Sequence, residues 1–261
     1  MIRSILHTFG TKFISAIINL LIAIIISQYL GAMGKGDQGL IIASVAYILI
    51  FSNIISGASI IYLIPRFSVS LILFPAYIWS ILISLGAYFI LGLSSIVDPE
   101  FRFAISILAL LSALTSINSS ILIGKEKIKK ANLIGLVQPI IIVLLILFYF
   151  IVLNKAEISS YINALYISFL LSFFISLVYV CKESISLKDH SFLEFKIASL
   201  QLLKYGIVNQ LAHIFQVLSF RMGYFWLAEI YTKAEVGIYS NAMALIESIW
   251  LISRSISLIQ Y

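Results

Sequence analysis

The chain has 261 residues, of which 62% are hydrophobic and only 11% charged. A soluble globular domain carries roughly 45–50% apolar and about 25% charged residues, so a soluble fold is excluded and a polytopic membrane protein is expected. The net charge of +6 would suggest nucleic acid in a soluble protein, but the basic residues here fall in short loops, where they set membrane topology, and no nucleic-acid partner is expected.

The apolar runs repeat along nearly the whole chain, each near the ~20 residues that cross a bilayer as helix. No ten-residue alternating pattern of the outer-membrane barrel kind is present. The fold class read from this is an all-α membrane protein, a polytopic helical bundle. Arg3 and Lys12 precede the first run, which holds Ser15 and Asn19 and leads straight into further runs without a small-residue cleavage site. It reads as a first span and not as a cleaved signal. The expected spans are 13–30, 40–63, 69–91, 103–123, 133–153, 158–180, 205–230, and 236 to near the end. Gly34, Gly36 and Gly39 match G-x-G-x-x-G, but they lie between two spans with no strand before them, so a tight inter-helix turn is expected and not a nucleotide site. Asp98-Pro99 marks another turn, and Pro75 and Pro139 mark kinks or helix starts.

Assigning the connections alternately to two sides puts Arg3, Lys12, Arg66, Lys125, Lys127, Lys129, Lys130, Lys182, Lys188, Lys196 and Lys204 on one side, and Lys35, Arg102, Lys155 and Lys233 on the other. That asymmetry predicts a cytoplasmic N-terminus. The Lys125, Lys127, Lys129 and Lys130 cluster is read as a topology anchor first and a lipid-phosphate contact second. After six spans comes a polar stretch and then SFLEFKIASLQLL, whose Leu193, Ile197, Leu200 and Leu203 share a face, which predicts a helix lying in the cytoplasmic interface. The expected organisation is therefore a six-helix lobe over 1–181, a cytoplasmic linker with an interfacial amphipathic helix over 182–204, and two helices over 205–261. A weak internal repeat supports the division: Phe9-Gly10 and Gly39-Leu40 open the first two spans, as Tyr205-Gly206 and Gly237-Ile238 open the seventh and eighth. An even number of spans between the copies makes the repeat parallel. Six helices followed by two lead to the expectation that the chain is the front portion of a longer, two-lobed protein, its second lobe incomplete.

The stretch 205–230 carries the first functional candidate. At about 100° per residue, Gly206, Asn209, Gln210, His213, Gln216, Arg221 and Tyr224 fall in a sector of roughly 140°. An ionised side chain facing hydrocarbon costs about 3 kcal/mol or more, so Arg221, some ~24 Å along the helix from Tyr205, is expected to face protein or water. A guanidinium holds a diphosphate or an acidic sugar through paired hydrogen bonds. The alternative is a structural pair with Glu229 or Glu247. Glu247 and Arg254 are seven residues apart, on nearly the same helix face, and are read as lining the same cavity, although Arg254 lies close enough to an end to snorkel. His213 is a proton-coupling candidate or a packed, hydrogen-bonded residue. Arg221, Arg254, Gln210, His213 and Glu247 form the candidate substrate-binding set. The single cysteine, Cys181, excludes an intramolecular disulfide and fits no metal site, so neither a metal nor a cofactor is expected.

The segments LGAMGKGDQGL, GASIIYLIPR, LIGKEKIKKANLIGLVQP and, above all, LSFRMGYFWLAEIYTKAEVGIYSNAMALIESIW resemble the polysaccharide transporter branch of the multidrug/oligosaccharidyl-lipid/polysaccharide exporter superfamily, the O-antigen and capsule flippases. The resemblance runs from about Gly10 to the end. It implies an inner-membrane protein of bacteria that opens a cationic cavity alternately to each side and moves an undecaprenyl-diphosphate-linked oligosaccharide outward for O-antigen or capsule biosynthesis. Arg221 stands where that family often carries an arginine in its seventh helix. The implied partners are the lipid-linked oligosaccharide, membrane lipids, and a glycan polymerase or other assembly proteins. A multidrug exporter of the same superfamily is the first alternative, disfavoured because its cavity would meet cationic substrates with an arginine. A membrane enzyme of glycan assembly is the second, disfavoured because there is no paired carboxylate, His-Asp cluster or nucleophile motif. An inactive fragment or assembly partner is the third.

Overall fold

The computed structural model describes residues 2–93, 97–183 and 191–257, and over these the chain is all-α. The helices are α1 (Ile2–Ser52), α2 (Ala58–Leu63), α3 (Val69–Leu93), α4 (Arg102–Gly124), α5 (Ile128–Leu147, continued by a π-helical turn Phe148–Val152), α6 (Ile158–Lys182), α7 (Phe192–Ile230) and α8 (Lys233–Ser257). Among the described residues five stretches are long and apolar enough to cross a membrane: Thr8–Leu63, Val69–Leu93, Pro99–Gly124, Ile128–Val152 and Ile158–Lys182. The first has the length of two spans, which makes the chain a polytopic helical membrane protein. The seventh and eighth expected spans form helices of sufficient length, but neither is among the five. Asn209, Gln210, His213, Gln216 and Arg221 interrupt the apolar character of α7, and Asn241 and Glu247 that of α8.

Three local features differ from the sequence reading. The turn expected through Gly34, Gly36 and Gly39 is confined to Gly31, whose φ of 65° and ψ of −169° depart from helical geometry between two helical stretches of α1. Only glycine takes such a φ without strain, so the later glycines stay helical. The second expected span is itself broken: α1 stops at Ser52, a 3₁₀ turn covers Asn53–Ile55, Ser56 is extended, and Gly57 has φ 56° before α2 begins. The interfacial helix expected over 191–203 is continuous with the seventh span in one 39-residue element. Its start is closed by a reciprocal capping box in which the Glu194 backbone N–H donates to Ser191 Oγ and the Ser191 N–H donates to Glu194 Oε2, both at 3.2 Å. No proline follows to stop it.

The chain gathers into two compact units. Unit 1 comprises 1–43, 132–172 and 223–261. In it the start of α8 lies directly on α1 just past Gly31. A Cβ on Gly36 would overlap the Lys233 carbonyl oxygen, and one on Gly237 would overlap the Ala32 carbonyl oxygen. Small residues permit this backbone approach, which supplies dispersion contacts where lipid gives no hydrophobic drive. Tyr224 and Tyr239 stack edge to face at 4.9 Å, and Asn241 Nδ2 donates to Ser27 Oγ at 2.9 Å. The two helix starts that the internal repeat equates are thus in contact with each other.

Unit 2 comprises 44–131 and 173–222. A buried polar chain crosses it: the Tyr77 hydroxyl donates to Asn118 Oδ1 at 2.7 Å, and Asn118 Nδ2 donates to Ser176 Oγ at 2.9 Å. Gly124 lets α4 reach Ile61 and Ile64, and Gly206 on α7 lies against the Ile54 carbonyl in the helix break.

The repeat-equivalent glycines Gly10 and Gly206 have opposite surroundings, since a Cβ at Gly10 meets nothing within 4 Å whereas one at Gly206 would overlap the Ile54 carbonyl oxygen. Gly206→Ala is expected to destabilise the protein by about 1–3 kcal/mol, because a backbone neighbour cannot swing away. Gly10→Ala is expected to raise stability by about 0.5–1 kcal/mol through helix propensity. Thermal unfolding of the two variants side by side reads both signs.

Candidate functional site

α7 brings the candidate residues to defined positions on one helix. Gln210 and Arg221 are eleven residues apart, hence within about 20° of one another around the axis and roughly 16 Å apart along it. Both are half-buried. Gln210 is engaged: its Nε2 donates to the Ile50 carbonyl at 3.4 Å, in the last turn of α1. Asn209 turns back on its own helix, donating to the Tyr205 carbonyl at 2.9 Å. His213 is exposed, as is Glu229. Arg221 belongs to unit 2, while Glu247, half-buried on α8, belongs to unit 1. Arg254 lies in α8, but its side chain falls outside the described residues. Cys181 is free and exposed.

Sequence reasoning missed a second charged cluster. Lys35, expected in an exposed connection, is 1% exposed. With the turn reduced to Gly31, Lys35 sits within helix. Its Nζ donates to Gln38 Oε1 at 2.8 Å, and Gln38 Nε2 donates to the buried Tyr161 hydroxyl at 3.4 Å. The neighbouring acid, Asp37, pairs instead with Lys233 at 2.8 Å. Residues 35–39 and 233–237 both read Lys-x-acid-x-Gly. The first copy's acid takes the second copy's lysine. The second copy's acid, Glu235, is held locally by the Thr232 hydroxyl and backbone N–H as a helix cap, and these bonds lower its pKa. The spacing was visible in the sequence; the pairing was not.

Just past the end of α6, Glu183 collects the lysine cluster. Lys130 Nζ lies 2.6 Å from its Oε1 and Lys127 Nζ 4.0 Å from its Oε2, while Lys125 donates to its backbone carbonyl. The Lys130 hydrogen bond, with the charges of Lys127, Lys130 and Lys125, holds the Glu183 carboxyl below the ordinary carboxylate range. Part of that positive charge is therefore spent inside the fold. Lys127 still projects, with its side chain 48% exposed.

No family model, curated protein or solved structure matches the chain.

Lys35→Met is expected to raise the unfolding temperature, since it removes a buried ammonium whose side-chain partner is a neutral amide and fills the same volume. Lys233→Met is expected to lower stability by about 1 kcal/mol, as it strands the mostly buried Asp37 carboxylate. For Glu183, a folded pKa below the unfolded one means that its contribution is present at neutral pH and is lost as pH falls through the folded value. Glu183→Gln should therefore melt earlier than the native chain at pH 7, and the two curves should converge as acidification passes the lowered folded value.

Proposed function

We propose that the chain serves export of an anionic, polyprenyl-diphosphate-linked oligosaccharide across a bacterial inner membrane, for assembly of surface polysaccharide, with its N-terminus in the cytoplasm. The observation that carries this reading is Arg221, a permanent cation set half-buried on the polar stripe of α7 in a helical membrane protein. An arginine in that setting offers a planar, bidentate partner to phosphate oxygens, and intramembrane charge marks a pathway by default. The resemblance to the polysaccharide transporters supports the same substrate class. The polyprenyl tail would stay in lipid while the headgroup passes along the polar stripe, and the exposed Lys127 would meet the same phosphates at the membrane surface.

The test is flipping of a fluorescent lipid-linked oligosaccharide by the full chain in proteoliposomes. Arg221→Ala is expected to reduce the rate tenfold or more, the loss of a charge-assisted contact of about 1.5–3 kcal/mol. Arg221→Lys should recover only part of it, since an ammonium lacks the bidentate fork. Equal rates for all three chains, or transport of a lipophilic cation in preference to the glycan lipid, would overturn the reading.

A further inference from the structure

The break in the second span is a place where membrane physics demands a complete account of polar atoms. An α-helix that stops inside an apolar run frees its last carbonyls, and with no water at hand these must find partners in the protein. Several polar groups around the break find such partners. The Ile50 carbonyl accepts from Gln210, and the Phe51 carbonyl accepts from the indole N–H of Trp79 at 2.9 Å. The Asn53 carbonyl accepts from the Ser56 N–H at 3.2 Å, and the Ser56 carbonyl from the Ser59 hydroxyl at 2.9 Å. The Gly57 N–H donates to Ser120 Oγ at 3.2 Å, and Ser56 Oγ is 3.3 Å from Ser116 Oγ. The Ile54 carbonyl rests on the bare Cα of Gly206.

Side-chain oxygens of two consecutive residues stand outside this account. Asn53 Oδ1 and Ser52 Oγ are buried, and neither has a hydrogen-bond partner. Ser52 is wholly buried, at 0% exposure. Asn53 Oδ1 is an acceptor only, so what it lacks is positive charge. Both lie at the C-terminal end of α1, the negative end of its dipole. The side chains that hold the break, from Trp79, Ser116, Ser120 and Gln210, are all neutral. Neutral oxygens at an interrupted membrane helix suit a monovalent cation and not a divalent one, whose dehydration calls for carboxylates.

We propose that the break between Ser52 and Ala58 binds a monovalent cation of sodium's size, with Asn53 Oδ1 and Ser52 Oγ as its side-chain ligands and carbonyls of the 3₁₀ turn completing the shell. Gln210 and Gly206 both touch this turn from α7, so the occupied site is tied to the helix that carries Arg221. As a coupling ion for glycan-lipid export the cation rests on the preceding reading; as a bound ion it does not.

The experiment is thermal unfolding of the full chain in nanodiscs, followed by tryptophan fluorescence, with sodium, potassium or choline chloride at constant ionic strength. Sodium should raise the unfolding temperature in a saturable way that choline and potassium do not reproduce. Asn53→Leu should abolish the response, and Ser52→Ala should shift its midpoint to about tenfold higher sodium, the ~1.4 kcal/mol of one modest ligand contact. Ser84→Ala, at a buried hydroxyl outside the break that also lacks a partner, should leave it unchanged. Should the leucine variant fail to fold, Asn53→Asp keeps an oxygen there and should move the midpoint to lower sodium. Identical melting in sodium and choline, as expected if only water satisfies these oxygens, would overturn the proposal. So would an equal potassium response, or a sodium response that survives Asn53→Leu. Loss of glycan flipping with the sodium response intact would count against the transport reading alone.

Discussion

Every part of this molecule answers to one constraint: a backbone amide or carbonyl that leaves its helix inside a membrane must be met by another protein group, because hydrocarbon offers none. The interruption at residues 53–57 shows the constraint at work. Three other helices reach the break, α3 with the Trp79 indole, α4 with the Ser116 and Ser120 hydroxyls, and α7 with Gln210 and the bare Cα of Gly206. An interruption that weakens one helix thereby becomes the contact that orders its neighbours in unit 2.

The same economy governs the charges. In water an exposed ion pair adds little, but at the start of α8 the pair between Asp37 and Lys233 accompanies a backbone approach so close that neither Gly36 nor Gly237 has room for a Cβ. Backbone proximity and charge neutralisation support one another there. In unit 2 Glu183 performs the equivalent task among Lys125, Lys127 and Lys130, drawing a basic loop onto the end of α6. Lys35 is the exception, a buried ammonium hydrogen-bonded to an amide. Such a charge is retained against a substantial desolvation cost, and it lies in the segment where the two repeat copies touch.

On α7 two kinds of polar residue share one stripe. Its lower part services the broken helix through Gly206 and Gln210, while Arg221, about three turns further on, stays half-buried. Gln210 thus has a structural engagement that its polar character alone did not reveal. His213, off the Gln210–Arg221 line by about 60°, is exposed. The stripe read as one binding surface thus holds Gln210, which engages the broken helix, and Arg221, half-buried near the same line.

Composition and the lengths of the apolar runs determined by themselves that this is an all-helical membrane protein, because lipid admits only helices and closed barrels and the runs lack a barrel's alternation. They placed α3, α4, α5 and α6 closely and marked α7 as the polar helix. The dipeptide Ser56-Gly57, a turn signal inside an apolar run, also held the position of the break, although hydropathy passes over it. Which glycine turns the chain was not legible, since Gly31, Gly34, Gly36 and Gly39 are equally able to turn; only the arrival of Lys233 and Tyr224 made Gly36 and Gly39 packing residues and left the turn to Gly31. Nor could the sequence tell which lysine would be paired. Asp37 sits two residues from Lys35 but bonds Lys233, because helix geometry turns neighbours two apart to opposite faces while tertiary packing brings distant ones together. Periodicity is a local property that the chain carries with it. Partner choice is a property of the packed helices, and it exists only once they meet.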